Sequence, residues 1–128
     1  MKLLVDAMNV IGSRPDGWWR DRDGAVRRLA AAMAPLAAEG AAVTLVCDGQ
    51  PADGLPAGDH GGVTVRYAGR GRDAADDLLV GLLRGVTDDE CGAAQVVVIT
   101  ADRNLRARAE RSGATVEGPS WLRRRLQA

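Results

Sequence analysis

Leu3-Leu4-Val5-Asp6 is a short apolar segment that ends on a carboxylate, and segments of the same kind recur along the chain. Their apolar residues follow one another without polar alternation, which is typical of strands buried on both faces of a parallel sheet. The other segments are Val43–Cys47, Val63–Val65 and Val96–Ile99, with a weaker one at Ala114–Val116. Helix-length stretches separate most of them, so the sequence predicts an α/β fold in which crossover helices connect parallel strands.

The stretches between the strands carry helix signals, namely apolar residues at helical spacing, acidic caps and terminating glycines. The helices are predicted at Asp23–Glu39 with Asp23 as the cap, from Asp73 to about Gly85, from Asp102 to Arg111, and from Pro119 onward. Residues 49–62 contain glycines and prolines without periodicity and are predicted to form a long exposed loop. Together these elements predict a three-layer, doubly wound domain that spans residues 1–128.

The composition excludes several classes of protein. The chain has 128 residues, 46% of them hydrophobic, which is enough for one domain with its own core. No stretch approaches the ~20 apolar residues that span a bilayer, so we expect a cytoplasmic protein that has no membrane partner. Cys47 and Cys91 have neither the density of a disulfide framework nor the spacing of a zinc site.

Charge is segregated along the chain although the formal net charge is zero. Acids outnumber bases over residues 48–90, whereas arginines outnumber acids over residues 103–128. Arginine, whose planar fork suits phosphate recognition, supplies all the basic residues except Lys2. A solvated helix face would produce the same segregation.

Aspartates follow three of the predicted strands. Asp6, Asp48 and Asp102 lie at or just past carboxyl ends, where open parallel sheets place their working sites. The second helix adds a group at helical spacing in its first turn, namely Asp73, Asp76 and Asp77. Like charges at one rim raise one another's pKa values, move apart or bind a cation.

This set of carboxylates suits a hard cation such as Mg²⁺ or Mn²⁺, which prefers oxygen ligands. The single histidine, His60, lies in the glycine-rich loop, so a metal-activated water is favoured over a Ser/His/Asp or Cys/His mechanism. Most of the acids also have a structural explanation, as helix caps, as a turn residue or as partners of a helix dipole. Asp6 is the hardest to explain in this way, because it ends a buried central strand.

The segment after the first strand mixes arginine with tryptophan. Asn9 follows Asp6 by three residues and either braces the site, which we predict, or bonds its own backbone in a turn. Indole faces stack on unpaired bases and guanidinium groups hold phosphates, so the predicted ligand is single-stranded nucleic acid. The residues predicted to bind it are Arg14, Trp18, Trp19, Arg20 and Arg22, with Arg103 near the site. The structural alternative is that one tryptophan packs under the first helix.

Four pieces of the chain form a wider pattern: Asp6-x-x-Asn9-Val10-Ile11-Gly12, Trp18-Trp19-Arg20-Asp21, Ala75-Asp76-Asp77 and Ile99-Thr100-Ala101-Asp102-Arg103. In this order they resemble the NYN domain, in its YacP-like branch, within the PIN-like ribonuclease superfamily. The resemblance implies a five-stranded parallel sheet in the order 3-2-1-4-5 and metal-dependent cleavage of RNA, which with the residues above predicts a ribonuclease that acts on single-stranded RNA. It also implies that Asp6, Asp76 and Asp102 are the metal ligands, with Asn9 and Asp77 in support.

Other functions remain open at this stage. A PIN-like module that binds RNA without cutting it, alongside a ribosomal or RNA-processing partner, is supported by Asn104, where many relatives carry another acid. A phosphotransfer domain is a weaker alternative, because Met8 stands where the dehalogenase pattern needs a second aspartate. A homodimer is compatible with the sequence.

Overall fold

The strands and helices alternate largely as the sequence predicts. The computed structural model describes residues 1–87 and 96–126, and Cys91 lies outside them. A short 3₁₀ helix, Trp18–Arg20, lies between the first two α-helices. The elements in chain order are β1 (Lys2–Asp6), α1 (Ala7–Gly12), α2 (Arg22–Ala38), β2 (Ala42–Cys47), β3 (Gly58–His60), β4 (Val63–Tyr67), α3 (Ala74–Thr87), β5 (Val96–Ile99), α4 (Arg103–Arg111), β6 (Thr115–Glu117) and α5 (Pro119–Leu126).

The sheet has six strands in the order β3-β4-β2-β1-β5-β6. All neighbouring pairs are parallel except β3 and β4, which are antiparallel. The prediction of a purely parallel sheet of five strands is therefore wrong. The observed order differs from 3-2-1-4-5 by one additional strand at the edge, which covers β4.

The additional strand β3 lies inside the segment that was predicted to be a long loop. It pairs with β4 through a tight hairpin in which Gly61 and Gly62 both have positive φ, 62° and 88°. Two consecutive positive-φ residues match the right-handed twist of a hairpin, and glycine adopts them without strain. The carboxylate of Asp59 accepts a hydrogen bond from the Gly62 amide at 3.0 Å and holds the turn. The strand residues are polar and mostly exposed, so no apolar pattern marked them.

Two helical features also differ from the prediction. Helix α1 follows β1 directly and was not predicted, because six residues are too few to show a helical period. Helix α2 begins at Arg22, and Asp21 rather than Asp23 caps it by accepting from the Gly24 amide at 3.0 Å. Asp23 instead accepts a hydrogen bond from the backbone amide of Asp53 at 3.0 Å, which fastens the long loop to the helix.

The core lies on both faces of the sheet. Successive residues of a strand point to opposite faces, so Leu3 and Val5 pack on one side and Leu4 on the other. Helices α1, α2 and α5 cover the first side, and α3 and α4 cover the second. Among residues 1–87 and 96–126 no helix combines the length and apolarity needed to cross a bilayer.

The parallel register brings the carboxyl ends of β1, β2 and β5 to one rim. Asp6 is paired in register with Val46 of β2, and Val5 is paired with Ile99 of β5. Residues that directly follow β2 and β5, namely Asp48 and Thr100, therefore emerge beside Asp6. We call this edge of the sheet the carboxylate rim.

Candidate functional site

Asp6 lies at the centre of the carboxylate rim and is only 7% exposed. The Thr100 hydroxyl donates to its Oδ2 at 3.0 Å. The same hydroxyl oxygen accepts from the backbone amide of Asp102 at 3.1 Å, and Thr100 is itself 1% exposed. Thr100 thus connects Asp6 to the loop that leads into α4. Thr100 is part of the pattern that resembles the NYN domain, but the sequence predicts no role for it. Its hydrogen bond to Asp6 depends on the alignment of two strands that are far apart in sequence.

The environment of Asp6 opposes ionisation. Burial raises the pKa of Asp6 to about 6, and the negative charges of Asp76 and Asp48 act in the same direction. The hydrogen bond from Thr100 lowers this pKa in part. A carboxyl group in this position binds a proton or a cation more readily than an exposed aspartate does.

Asp76 lies in the first turn of α3, half-buried, and faces the same rim. Burial raises the pKa of Asp76, and the charges of Asp102, Asp73 and Asp48 raise it further, while Arg108 lowers it. Asp76 therefore experiences the field of two acids from distant parts of the chain, Asp102 and Asp48, and of Asp73 just before α3. A cation bound among these acids would relieve their mutual repulsion.

Asp102 is the N-cap of α4. This is the helix-cap alternative among the structural explanations that the sequence offers for most of its acids. The Asp102 Oδ1 accepts a hydrogen bond from the Leu105 amide at 2.9 Å. One carboxylate oxygen is therefore committed to the helix, which leaves Oδ2 for other partners.

The two supporting residues differ in their placement. Asn9 lies in α1, and its Oδ1 accepts from the backbone amide of Ala101 at 2.7 Å, so it braces the loop that carries Thr100 and Asp102. Asp77 is exposed and forms an ion pair with Arg108 at 3.1 Å. Asp77 thus connects α3 to α4 and is not directed at Asp6.

The donor chemistry of the rim fits a hard cation, because its available side chains carry carboxylate oxygens and no nitrogen or sulfur ligand. Cys47 is fully buried, and burial raises the pKa of its thiol to about 12. His60 lies in β3, and its ring bonds the Pro56 carbonyl. Within the described ranges, however, no three acidic, histidine or cysteine side chains are close enough together to hold one ion. Asp6, Asp76 and Asp102 are coupled by charge without forming one set of direct ligands.

The two tryptophans of the predicted nucleic-acid surface have different surroundings. Trp18 is half-buried and packs against the core, whereas Trp19 is 57% exposed. Their rings meet edge to face, with centroids 6.1 Å apart and an interplanar angle of 84°. The guanidinium of Arg20 lies 6.0 Å from the centroid of the Trp19 ring. Trp19 and Arg20 together form an exposed aromatic and cationic surface.

The remaining predicted arginines are dispersed. Arg22 donates to the backbone carbonyl of Asp48 and lies 3.5 Å from Asp23, so it fastens the start of α2 to the rim. Arg103 is the exposed first residue of α4, next to Asp102. Arg14 is also exposed but lies beside a cavity between α1, α2 and α5.

Two crystal structures of Rae1 (YacP) from Bacillus subtilis are similar to this chain. One aligns with a TM-score of 0.78 and 24% sequence identity over 99% of this chain and 74% of the other. The second, of a mutant, aligns with a TM-score of 0.77 and 24% identity over 98% of this chain and 74% of the other. No family model matches the sequence, and no curated protein matches it. The similarity establishes a YacP-like fold.

Proposed function

We propose that the chain is a metal-dependent ribonuclease that cleaves single-stranded RNA at the carboxylate rim. The observation that carries the proposal is the environment of Asp6, a buried carboxyl with its pKa raised to about 6 at the end of the central strand. Burying an acid beside other acids destabilises a fold, and such an arrangement is characteristic of sites that use the charge. The YacP-like fold and the resemblance to the NYN domain support the same activity.

The residues of the rim have distinct tasks in this proposal. Asp6 and Asp76 would hold Mg²⁺ or Mn²⁺, and Asp102 would offer the carboxylate oxygen that the α4 cap leaves free. When bound, the ion supplies the positive charge that activates water and stabilises the phosphate. Thr100 orients Asp6 through its hydroxyl, and Asn9 fixes the loop that carries Thr100. Magnesium keeps several of its waters and takes one or two carboxylates directly, so the proposed site does not require all three acids to contact the ion.

RNA is proposed as the substrate because exposed aromatic and guanidinium groups lie on the segment that follows β1. Trp19 offers an indole face for an unpaired base, and Arg20 offers charge for phosphates. Arg103, at the start of α4 beside Asp102, offers further positive charge. A duplex would hide the base faces that Trp19 needs, so a single strand fits better.

A second function, an RNA-binding module that does not cut and acts beside a ribosomal or RNA-processing partner, rests on a specific observation. No three potential ligands converge within residues 1–87 and 96–126, and Asp102 gives one oxygen to its helix cap. Both facts suit a rim that has lost catalysis while the RNA surface remains.

Cleavage of a labelled single-stranded RNA distinguishes the two functions. Asp6→Asn keeps the shape of the side chain and removes its charge, so we expect cleavage to fall by about 10²-fold or more, since one electrostatic stabiliser is lost. The matched control is Glu39→Gln, the same kind of change at an exposed position after α2, which should cut as the unmodified chain does. Chelator should abolish cleavage and added Mn²⁺ restore it.

Full activity of Asp6→Asn, or activity that survives chelator, contradicts the metal-dependent mechanism. RNA binding without cleavage under every metal condition would favour the non-cutting module. A single-stranded DNA of the same sequence, assayed in parallel, tests the preference for RNA.

A further inference from the structure

A second feature lies away from the carboxylate rim, in a cavity of about 270 Å³ between α1, α2 and α5. Its apolar surface is formed by side chains that include Val10, Ile11, Leu29 and Leu126, and the indole of Trp18 forms part of the wall. This volume lies just below the roughly 300–1,000 Å³ of pockets for drug-sized ligands, so only a small group, such as one nucleotide, can occupy it. We call it the α1–α5 cavity.

Three arginines surround the α1–α5 cavity, namely Arg14, Arg28 and Arg123, whereas Asp16 is its one acid. Among the residues that the structure describes, no carboxylate lies within ion-pair distance of any of the three. Burial lowers the pKa of Arg123, and the nearby charge of Arg14 lowers it further, against the opposite effect of Asp16. The cavity therefore has an excess of positive charge that an anion would neutralise.

Arg123 is fixed in place. It donates to the carbonyl of Val10 at 2.9 Å and also to the hydroxyl of Ser13, which connects α5 to the end of α1. Both bonds come from Nη2, so other N–H groups of the guanidinium are available for a ligand. An arginine that is oriented in advance loses little entropy when it binds a phosphate.

We propose that the α1–α5 cavity binds one unpaired nucleotide, with the base against Trp18 and the apolar wall and the phosphate on Arg14 and Arg123. The flat base would stack on the indole and cover the apolar wall, and the phosphate would accept hydrogen bonds from the guanidinium groups. Inorganic phosphate would leave the apolar wall uncovered, and a neutral nucleoside would leave the arginines unpaired. The identification of the nucleotide as part of an RNA strand rests on the proposed ribonuclease function.

Helix α1 sets the distance between this cavity and the rim. Asp6 precedes the helix, while Val10 and Ile11 near its end line the cavity. Val10 and Ile11 follow Asp6 by four and five residues, a rise of about 6 to 7.5 Å along the helix, which corresponds to about two stacked nucleotides of one strand. The cavity would then anchor the RNA about two nucleotides from the bond that is cut.

Calorimetric titration of the full chain with adenosine 5′-monophosphate, in chelator, tests the cavity without involving the rim. The mononucleotide should bind about tenfold or more tightly than inorganic phosphate or adenosine, because stacking and charge both contribute. Ala32→Trp places a large side chain at the edge of the cavity from an exposed position, and Arg14→Glu reverses one charge. Each should weaken mononucleotide binding about tenfold or more.

The matched control is Arg66→Glu, the same charge reversal at an exposed position of β4, where the side chain lies on the opposite face of the sheet from the cavity. It should bind the mononucleotide as the unmodified chain does. The proposal is overturned if both cavity variants bind the mononucleotide as tightly as the unmodified chain does. It is also overturned if inorganic phosphate binds as tightly as the mononucleotide.

Cleavage assays separate this proposal from the ribonuclease function. For an RNA long enough to reach the cavity, Ala32→Trp should raise KM and leave kcat unchanged. Mononucleotide binding in a chain that cuts no RNA would support the cavity and contradict the nuclease. Cleavage with a KM that neither cavity variant changes would support the nuclease and contradict the cavity.

Discussion

An aspartate at position 6 lowers the stability of the folded chain. Its carboxyl is almost completely buried, and one hydrogen bond from Thr100 replaces only part of the hydration it has lost. The charges of Asp76 and Asp48 add repulsion. An apolar or amide side chain at this position would avoid both costs, so stability alone does not explain an aspartate here.

Asp6→Asn should stabilise the metal-free chain in a manner that depends on pH. The folded pKa of Asp6, about 6, exceeds the ordinary value of about 3.9. Between these two values the folded chain binds a proton that the unfolded chain has lost, so the free energy of unfolding falls as pH rises. In Asp6→Asn the free energy of unfolding does not fall in this way, because asparagine does not titrate. Urea unfolding in chelator should therefore show its advantage growing from pH 4 to pH 6, to about 3 kcal/mol, and then levelling off.

The control for this experiment is Glu39→Gln, whose advantage should not change over the same pH range. An Asp6→Asn advantage that is constant from pH 4 to pH 8 would show that Asp6 ionises normally in the folded chain.

At the scale of elements, the start of α4 serves two purposes at once. Asp102 caps the helix through Oδ1, and its backbone amide also bonds the hydroxyl that holds Asp6. The position of the cap therefore fixes the position of Thr100 relative to β1. A helix terminus that is ordinary in its local structure is in this way part of the candidate site.

Substitutions of Asp102 separate capping from charge. Asparagine can accept the same hydrogen bond from Leu105, so Asp102→Asn should change the free energy of unfolding by a few tenths of a kcal/mol, whereas Asp102→Ala should cost about 1 kcal/mol. Both variants should lose RNA cleavage if the charge is needed. Urea unfolding and the cleavage assay measure the two effects independently.

Asp21→Ala is the comparison variant, because it removes the same kind of cap from α2 and should lower stability by a similar amount while cleavage persists. If the Asp102→Asn variant cuts RNA at the normal rate, the charge of Asp102 is not needed for cleavage.

The elements that the sequence predicted are those marked by apolar residues. The five predicted strands are short uninterrupted apolar segments, and the predicted helices, α2 included, have apolar residues at helical spacing, because both kinds of element bury those residues against the sheet. Strand β3 is held by backbone pairing and a Gly61–Gly62 turn, which no apolar pattern reports. The choice of Asp21 over Asp23 as the α2 cap also depends on three-dimensional detail: a Cβ on Gly24 would lie 2.2 Å from the Asp21 carboxylate.

The strand order alone was enough to predict which residues of the candidate site lie near one another. Parallel strands in a known order bring Asp6 and the residues after β5 to one rim, and the sequence predicted this. The role of Thr100 was not predictable, because it requires the register of β1 against β5 as well as their order. The ion pair that turns Asp77 toward Arg108 was missed for a similar reason, since it depends on the packing of α3 against α4.

Across the whole molecule, opposite charges are gathered in separate places. Acids occupy the carboxylate rim, and Arg14, Arg28 and Arg123 surround the α1–α5 cavity, with α1 between the two regions. A polyanion alone would be attracted to the cavity and repelled by the rim. A divalent cation at the rim would remove that repulsion and let one strand contact both regions.

Metal binding to the rim should therefore be visible in the stability of the whole chain. An ion that binds only the folded state at about 100 times its Kd adds about 2.7 kcal/mol, which corresponds to a rise in Tm of roughly 10 °C for a chain of this size. We expect Mn²⁺ to give such a rise in the unmodified chain and in Glu39→Gln, and a much smaller one in Asp6→Asn, which has lost a ligand charge at the centre of the rim. Melting curves with Mn²⁺ and with chelator provide the measurement. The same rise in Asp6→Asn as in the unmodified chain would mean that Asp6 does not bind the ion.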